Sequence, residues 1–268
     1  MDRANINRND LKRNFLKEII MRLDFQGVLQ AEMERILLEV KPYLKSKGFN
    51  RYAEKVNNQV IDDGDGIKDL KAQIIYSFIA ESLGYTLELS NSCIIISIKA
   101  QGYSSFDVYS DIFRNIINIF NRKIDFFTGI RFGFRKINFC FAKSKDVISK
   151  YFSTEYYNCA IPISGIETQL IKRQDCLTNG AQNFSLCHSI EAGMLDEQLM
   201  YKITLDTDIY TEQQNEIERI LFEENNLSVM NEAMFRIYLS AITDDMIDLL
   251  TRDDDLEVDE IIGVENNE

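Results

Sequence analysis

The stretch Asp125 to Phe141, Asp-Phe-Phe-Thr-Gly-Ile-Arg-Phe-Gly-Phe-Arg-Lys-Ile-Asn-Phe-Cys-Phe, decides how the chain is read. Apolar residues alternate in it with polar residues and glycine, the period-two signature of a half-buried strand. Ile130, Phe132 and Phe134 fall on one side, where helices are expected to cover them. Gly129, Arg131, Gly133 and Arg135 fall on the other side, expected to be an open sheet face.

Working back from this strand, Ser104 or Ser105 caps a helix reaching about Asn121. Its stripe is Phe106, Tyr109, Phe113, Ile116, Ile117 and Phe120, with Asp107 suited to the positive first turn. Two strands precede it, Ala72 to Ser82 and Tyr85 to Ala100, the second interrupted at Ser90-Asn91-Ser92. The polar stretch Lys47 to Leu70, with Asp62-Asp63-Gly64-Asp65-Gly66, reads as a loop. Val28 to Lys45 has helical spacing, with Pro42 near its end. Asn14 to Phe25 reads as the first strand. The order strand, helix, strand, strand, helix, strand predicts a ferredoxin-like βαββαβ half over residues 1–142 of an α+β protein.

Beyond it, a short helix is expected at Lys143 to Tyr151. Strands are expected near Glu155 to Ile163, Ile166 to Gln174, Gln182 to Ile190 and Gln198 to Tyr210. A long C-terminal helix follows, Asn226 to Leu250, with a break at Thr243-Asp244-Asp245 where Thr243 caps a new turn. Residues 143–252 thus form a second antiparallel β half with a closing helix, and 253–268 an acidic flexible tail.

A chain of 268 residues, 45% hydrophobic and 27% charged, carries enough apolar material for one large domain or two packed halves. Its longest apolar run, Cys93 to Ile98, is strand-sized, far short of the roughly 18 residues of a membrane helix. Met1 to Asn14 is polar, without the apolar segment of a secretory signal, so a cytoplasmic protein without membrane contact is expected. Cys93, Cys140, Cys159, Cys176 and Cys187 are scattered, with no C-x-x-C pair. That pattern favours reduced thiols over disulfides or a zinc ribbon.

The net charge of −13 is unevenly spread. Residues 112–150 carry nine basic and two acidic groups, whereas residues 191–268 carry four basic and 22 acidic. Overall acidity disfavours non-specific nucleic-acid binding, although one contiguous segment is distinctly basic; the plain reading of the charge is solubility and a solvated acidic tail.

No catalytic set emerges. His188 is the only histidine, so acyl-transfer machinery would have to pass through it. Its neighbour Cys187 points the opposite way on a strand. The Asp62 to Gly66 stretch lacks EF-hand spacing, and both phosphate-loop motifs are absent, so no cofactor is expected. Two features remain. Arg131, Arg135 and Lys136 suit a carboxylate or phosphate, as an anion or partner site. Asp206 and Asp208 share one face of a strand about 7 Å apart. They form either a metal-binding pair or an acid pair that neutralises the arginines from within.

Gly133-Phe134-Arg135-Lys136-Ile137-Asn138 resembles the Gly-Leu-Arg-Tyr-x-Asn strand of a sporadically distributed family of uncharacterised bacterial proteins. Leu205-Asp206-Thr207-Asp208 is similar to that family's Leu-Asp-x-Asp strand, and the helix with Phe235 and Ala241-Ile242-Thr243 to its closing helix. Phe134 and Lys136 depart from the pattern, which has Leu and Tyr there. The resemblance implies mobile, antiviral-defence or toxin–antitoxin-like gene cassettes and assigns no catalytic residue.

Three functional expectations follow. The first is a non-catalytic accessory protein, acting as sensor, inhibitor or assembly partner of a protein from the same cassette. The second is nucleic-acid binding through the sheet face around Arg131 and Arg135. The third is metal-dependent phosphoryl transfer at Asp206 and Asp208. Self-association is expected through the open sheet face or the C-terminal helix.

Overall fold

The structure, a computed structural model, describes residues 3–62, 68–100, 105–158, 169–223, 226–252 and 260–266. In chain order the elements are β1 (Arg13–Asn14), β2 (Leu16–Phe25), α1 (Gln30–Ser46), β3 (Arg51–Asp62), β4 (Lys68–Ala80), β5 (Tyr85–Leu89) and β6 (Cys93–Lys99). They continue with α2 (Phe106–Lys123), β7 (Gly129–Ala142), α3 (Lys145–Tyr151), β8 (Leu170–Thr178), β9 (Asn183–Leu195) and β10 (Gln198–Thr211). Last come α4 (Gln214–Phe222), α5 (Asn226–Ala241), α6 (Asp244–Thr251), β11 (Ile261–Ile262) and β12 (Glu265–Asn266). This is a mixed α and β protein whose identified strand pairs are antiparallel.

The chain divides into two compact units. One comprises residues 18–134 and 210–227, the other residues 1–17, 135–209 and 228–268. Neither is a continuous half of the chain, unlike the 1–142 and 143–252 division expected from the sequence.

In the first unit the strand order is β3-β4-β5-β6-β2-β7. Alternation sets the register. Leu87 and Met21 both face Ile96, and Leu89 and Leu23 both face Ile94. A one-residue slip would turn each of these side chains to the opposite face. Each contributes about 1.5–3 kcal/mol by its burial, so the register is firmly held. Met33, Ile36, Leu37, Val40 and Leu44 of α1 and Tyr109, Phe113, Ile116 and Phe120 of α2 are buried at the expected helical spacing. α1 runs through Pro42 to Ser46 rather than stopping there.

Between the two helices lie four strands, where two were expected. The polar stretch read as a loop forms most of a long hairpin, β3 paired with β4 from Arg51↔Ile79 to Asp62↔Lys68. Arg51 to Asn57 are all exposed, so this part of the edge strand has no buried face to imprint alternation on the sequence. Of the Asp62 to Gly66 stretch, Asp62 ends β3 and the remainder lies outside the described residues, as does Ser104; Ser105 is the N-cap of α2.

In the second unit β7 is followed by β10, β9 and β8, and β11 pairs with β7. Asp196 and Glu197 turn β9 into β10 with φ of 48° and 66°, matching hairpin twist. The core gathers Phe15, Cys140, Ile148, Phe152, Ile203, Leu205, Leu239, Ile242 and Leu250. The expected closing helix is two helices, α5 and α6, divided where Thr243 Oγ1 accepts from Met246 N at 3.4 Å. Residues 153–158 form a turn and irregular chain rather than the start of a strand, and 159–168, with Cys159, lie outside the described residues.

The acidic tail is described only from Glu260 to Asn266, and this part is structured. Ile261 pairs with Ala142 and is buried, Glu265 pairs with Asn14, and Lys150 Nζ donates to Glu260 Oε2 at 3.0 Å. Ile261, within an acidic stretch, supplies the anchor that net charge conceals.

Candidate interaction surface

β7 supplies side chains to two different environments. In the first unit Phe132 and Phe134 are fully buried, their rings 6.0 Å from Phe113 and 6.0 Å from Phe106 of α2. Arg131 places its guanidinium 4.6 Å from the centre of the Tyr210 ring, a cation–π contact. Ile130, on the same parity as the two buried phenylalanines, is exposed.

In the second unit Ala142, Cys140 and Asn138 face inward, and Arg135, Ile137, Phe139 and Phe141 lie on the more open side. Arg135 donates from Nε and Nη2 to the two oxygens of Asp206 at 2.7 and 2.5 Å, a fork-to-fork pair. Asp208 has the same parity on β10, while Leu205, Thr207 and Ile209 between and beside them are buried. Among the described residues no group of three histidine, cysteine, aspartate or glutamate side chains is placed to hold a metal.

Lys136 stands apart from the two arginines. Alternation turns it to the inward side, where Nζ donates to Oδ1 of buried Asn231 on α5 at 2.6 Å. Burial pushes its amine down to about 7, the charge of Arg8 adds to this, and Glu232 opposes it. Arg8 also donates to the Asn231 carbonyl, lies 3.4 Å from Glu232, and sits 4.9 Å from the Phe235 ring centre. Basic residues that are neighbours in sequence, such as Arg135 and Lys136, are not one basic patch when they lie on a strand.

His188 is 2% exposed on β9. Its Nε2 lies 3.0 Å from Asp175 Oδ2, and Tyr156 and Tyr157 meet its ring edge-on at 5.2 and 6.0 Å. Burial pushes the imidazole down, partly offset by Asp175. Asp175 is raised by burial, but hydrogen bonds from Arg173 and His188 outweigh this and hold it below the usual range. No described serine or cysteine is hydrogen-bonded to the ring, whose Nδ1 is buried without a partner among the described residues.

The surface that sequence reasoning did not single out lies at the corner entering β7. Phe126 is 93% exposed and has φ of 62°. This left-handed conformation costs a bulky residue on the order of 1 kcal/mol or more. The kink sends consecutive aromatics opposite ways: Phe127 packs 5.1 Å from Phe25 and 6.0 Å from Phe120, and Phe126 projects into solvent. Phe127, Gly129, Ile217, Leu221 and Phe222 line an adjoining groove of about 410 Å³, with Glu218, Arg219 and Glu223 at its rim. Arg219 is held by Glu216 through Nε at 3.0 Å, so the rim is acidic in balance. α4 approaches β7 so closely that a Cβ on Gly129 would lie 2.7 Å from Ile217 Cγ2. The only sequence signal was the pair Phe126-Phe127 ahead of Thr128-Gly129, and the sign of φ is not written in it.

The fold and these surfaces define a mixed α and β protein with a large antiparallel sheet and six helices among the described residues. No helix among them is long and apolar enough to cross a membrane. Neither a family model nor a curated protein matches the chain. Among solved structures, it is similar to the di-domain ARO/CYC StfQ from the steffimycin biosynthetic pathway at 10% sequence identity, covering 87% of this chain and 96% of that chain. The TM-score is 0.18, and the likeness carries no argument about activity.

Proposed function

We propose that the chain is an accessory interaction protein, docking a protein partner at the Phe126 corner. The observation that carries this reading is Phe126 itself, an aromatic side chain 93% exposed in a strained backbone conformation. Strain of this kind persists where the surroundings enforce it and clusters at functional sites. Apolar Phe127, Ile217, Leu221 and Phe222 with acidic Glu218 and Glu223 suit a partner segment with an aliphatic or aromatic anchor and basic flanks. The family resemblance supports a sensor, inhibitor or assembly partner within a bacterial defence-type cassette, with the partner encoded beside it. The test is capture of neighbouring gene products by the tagged chain, then surface plasmon resonance on the recovered partner. Phe126→Asp should weaken binding at least about tenfold, the loss of a modest anchor contact. Unchanged binding by a folded Phe126→Asp protein refutes this docking site.

A second reading, nucleic-acid binding, is supported by Phe139, whose ring centre lies 5.5 Å from Lys17 Nζ and 4.5 Å from Lys202 Nζ. Aromatic rings flanked by cations are the elements of a base-stacking platform. Single-stranded RNA should then be retained at low salt and released steeply as salt rises. Phosphoryl transfer has no comparable support, because both oxygens of Asp206 are engaged by Arg135.

As to kinship, the adjacency β7-β2-β6-β5, with α1 after β2 and α2 between β6 and β7, supports a ferredoxin-like βαββαβ reading. In that reading the first and third strands are central, and the hairpin of β3 and β4 is an insertion after the first helix.

A further inference from the structure

β8 ends the sheet of its unit, paired with β9 from Leu170↔Glu191 to Thr178↔Asn183. Gln169 O accepts from Ala192 N at 2.8 Å, and Asn179 N donates to Gln182 O at 3.1 Å, so odd-numbered residues bond across this hairpin. In an antiparallel ladder, residues of the other parity point their N–H and C=O the opposite way. Leu170, Lys172, Gln174, Cys176 and Thr178 therefore present these groups to the open edge, and no described strand receives them. Only Ile171 and Asp175 of the nine residues are partly covered, and Leu170 and Leu177 are 59% and 55% exposed. A long edge of this kind is a template for another strand.

The side chains select which strand. When two copies of one strand pair antiparallel about a two-fold axis normal to the sheet, facing residues must lie on the same face. The axis therefore passes through a residue. Through Lys172, Arg173 or Asp175 it would set a charge against itself, which opposes pairing. Through Gln174 it sets Arg173 against Asp175 twice and Ile171 against Leu177 twice. Gln174 is also the midpoint of the nine-residue strand, so every residue of β8 finds a partner. In β3, the exposed edge of the other unit, Glu54 differs in parity from both Lys55 and Arg51, so no axis sets these opposite charges face to face.

We propose that β8 is a self-complementary edge, through which two copies of the chain join β8 to β8, antiparallel, with Gln174 on the two-fold axis. Gln174, Lys172 with Cys176, and Leu170 with Thr178 exchange about ten backbone hydrogen bonds, two for each hydrogen-bonded pair. Arg173 and Asp175 fall at the non-hydrogen-bonded positions, where facing residues approach most closely. Arg173 Nε donates to Asp175 Oδ1 at 3.0 Å within one copy, and pairing closes four charges of alternating sign. The contact of His188 Nε2 with Asp175 Oδ2 holds the carboxylate in place for this.

The test is sedimentation velocity and light scattering of the full chain from about 1 to about 200 µM, suited to an interface of one strand pair. The mass should rise from 31.1 kDa towards twice that value. Gln174→Pro removes a donor aimed at the open edge and spares the ladder to β9. It should remain monomeric with an unchanged circular dichroism spectrum. Arg173→Asp should also be monomeric, and Arg173→Asp with Asp175→Arg should dimerise again. Oxidised Gln174→Cys should give a disulfide-linked dimer, whereas Cys176 of the parent chain, facing Lys172 of the second copy, should not cross-link. A parent chain at 31.1 kDa throughout overturns the proposal, as does a dimer that survives both Gln174→Pro and Arg173→Asp. Cross-linking through Cys176 instead of residue 174 overturns the register.

Discussion

Replacing Asp206 by asparagine removes the carboxylate that engages both Arg135 donors, and the structure bounds what this costs. The two side chains are 44% and 18% exposed, so the pair lies at the surface with its acid half-sheltered. Exposed ion pairs contribute about 0.2–1 kcal/mol. Two-point geometry and the sheltered carboxylate place this one near the top, about 1 kcal/mol. Arg135→Ala should cost somewhat more than Asp206→Asn, about 1–2 kcal/mol, because it leaves a partly covered charge without its cation. Urea unfolding of the parent, both single variants and the double variant gives the coupling directly. It should be near 1 kcal/mol at low salt and should shrink in about 1 M salt. Sulfate supplies a second reading: it should raise the melting temperature of Asp206→Asn, where Arg135 has lost this carboxylate, and leave the parent little changed. A coupling within about 0.3 kcal/mol of zero, the ordinary scatter of additive sites, would refute internal neutralisation and return Arg135 to service as an anion site.

Other consequences are equally open to measurement. Gly129→Ala forces a Cβ to within 2.7 Å of Ile217 Cγ2 and should destabilise by about 1–3 kcal/mol in urea. Combined with Ile217→Ala, the loss should be less than additive. His188 titrates below its ordinary 6.5 in the folded chain, so the unfolded chain binds more protons just below that pH. Melting temperature should therefore fall as pH drops below about 6.5, and His188→Gln should flatten this dependence. Lys136 is depressed from 10.5 to about 7, so the same linkage makes stability rise between those pH values as the unfolded lysine stays charged. Lys136→Met should remove that rise, read from unfolding midpoints across the interval.

Much of the first unit was legible because α1, α2 and its central strands have one covered side. The stripe from Phe106 to Phe120 and the alternation around Phe132 and Phe134 are imprints of that burial. β3 left no imprint, since Arg51 to Asn57 are exposed. The break at Thr243 was legible from capping chemistry alone, a hydroxyl followed by two acids. Ile261 was hidden in the opposite way, by acidic neighbours that outweigh it in any sum of charge.

The amino-acid sequence by itself determined that Phe132 and Phe134 of β7 are buried, that Thr243 breaks the C-terminal helix, and that Arg135 and Asp206 were candidates for one another. These are local properties of period and chemistry. Tertiary structure alone decided that Lys136 meets Asn231, that Phe126 is turned outward, and that β8 lies at an edge. Each depends on strand order or on the sign of one backbone angle. Such quantities are set by how distant segments pack, and the residues concerned carry no mark of them along the chain.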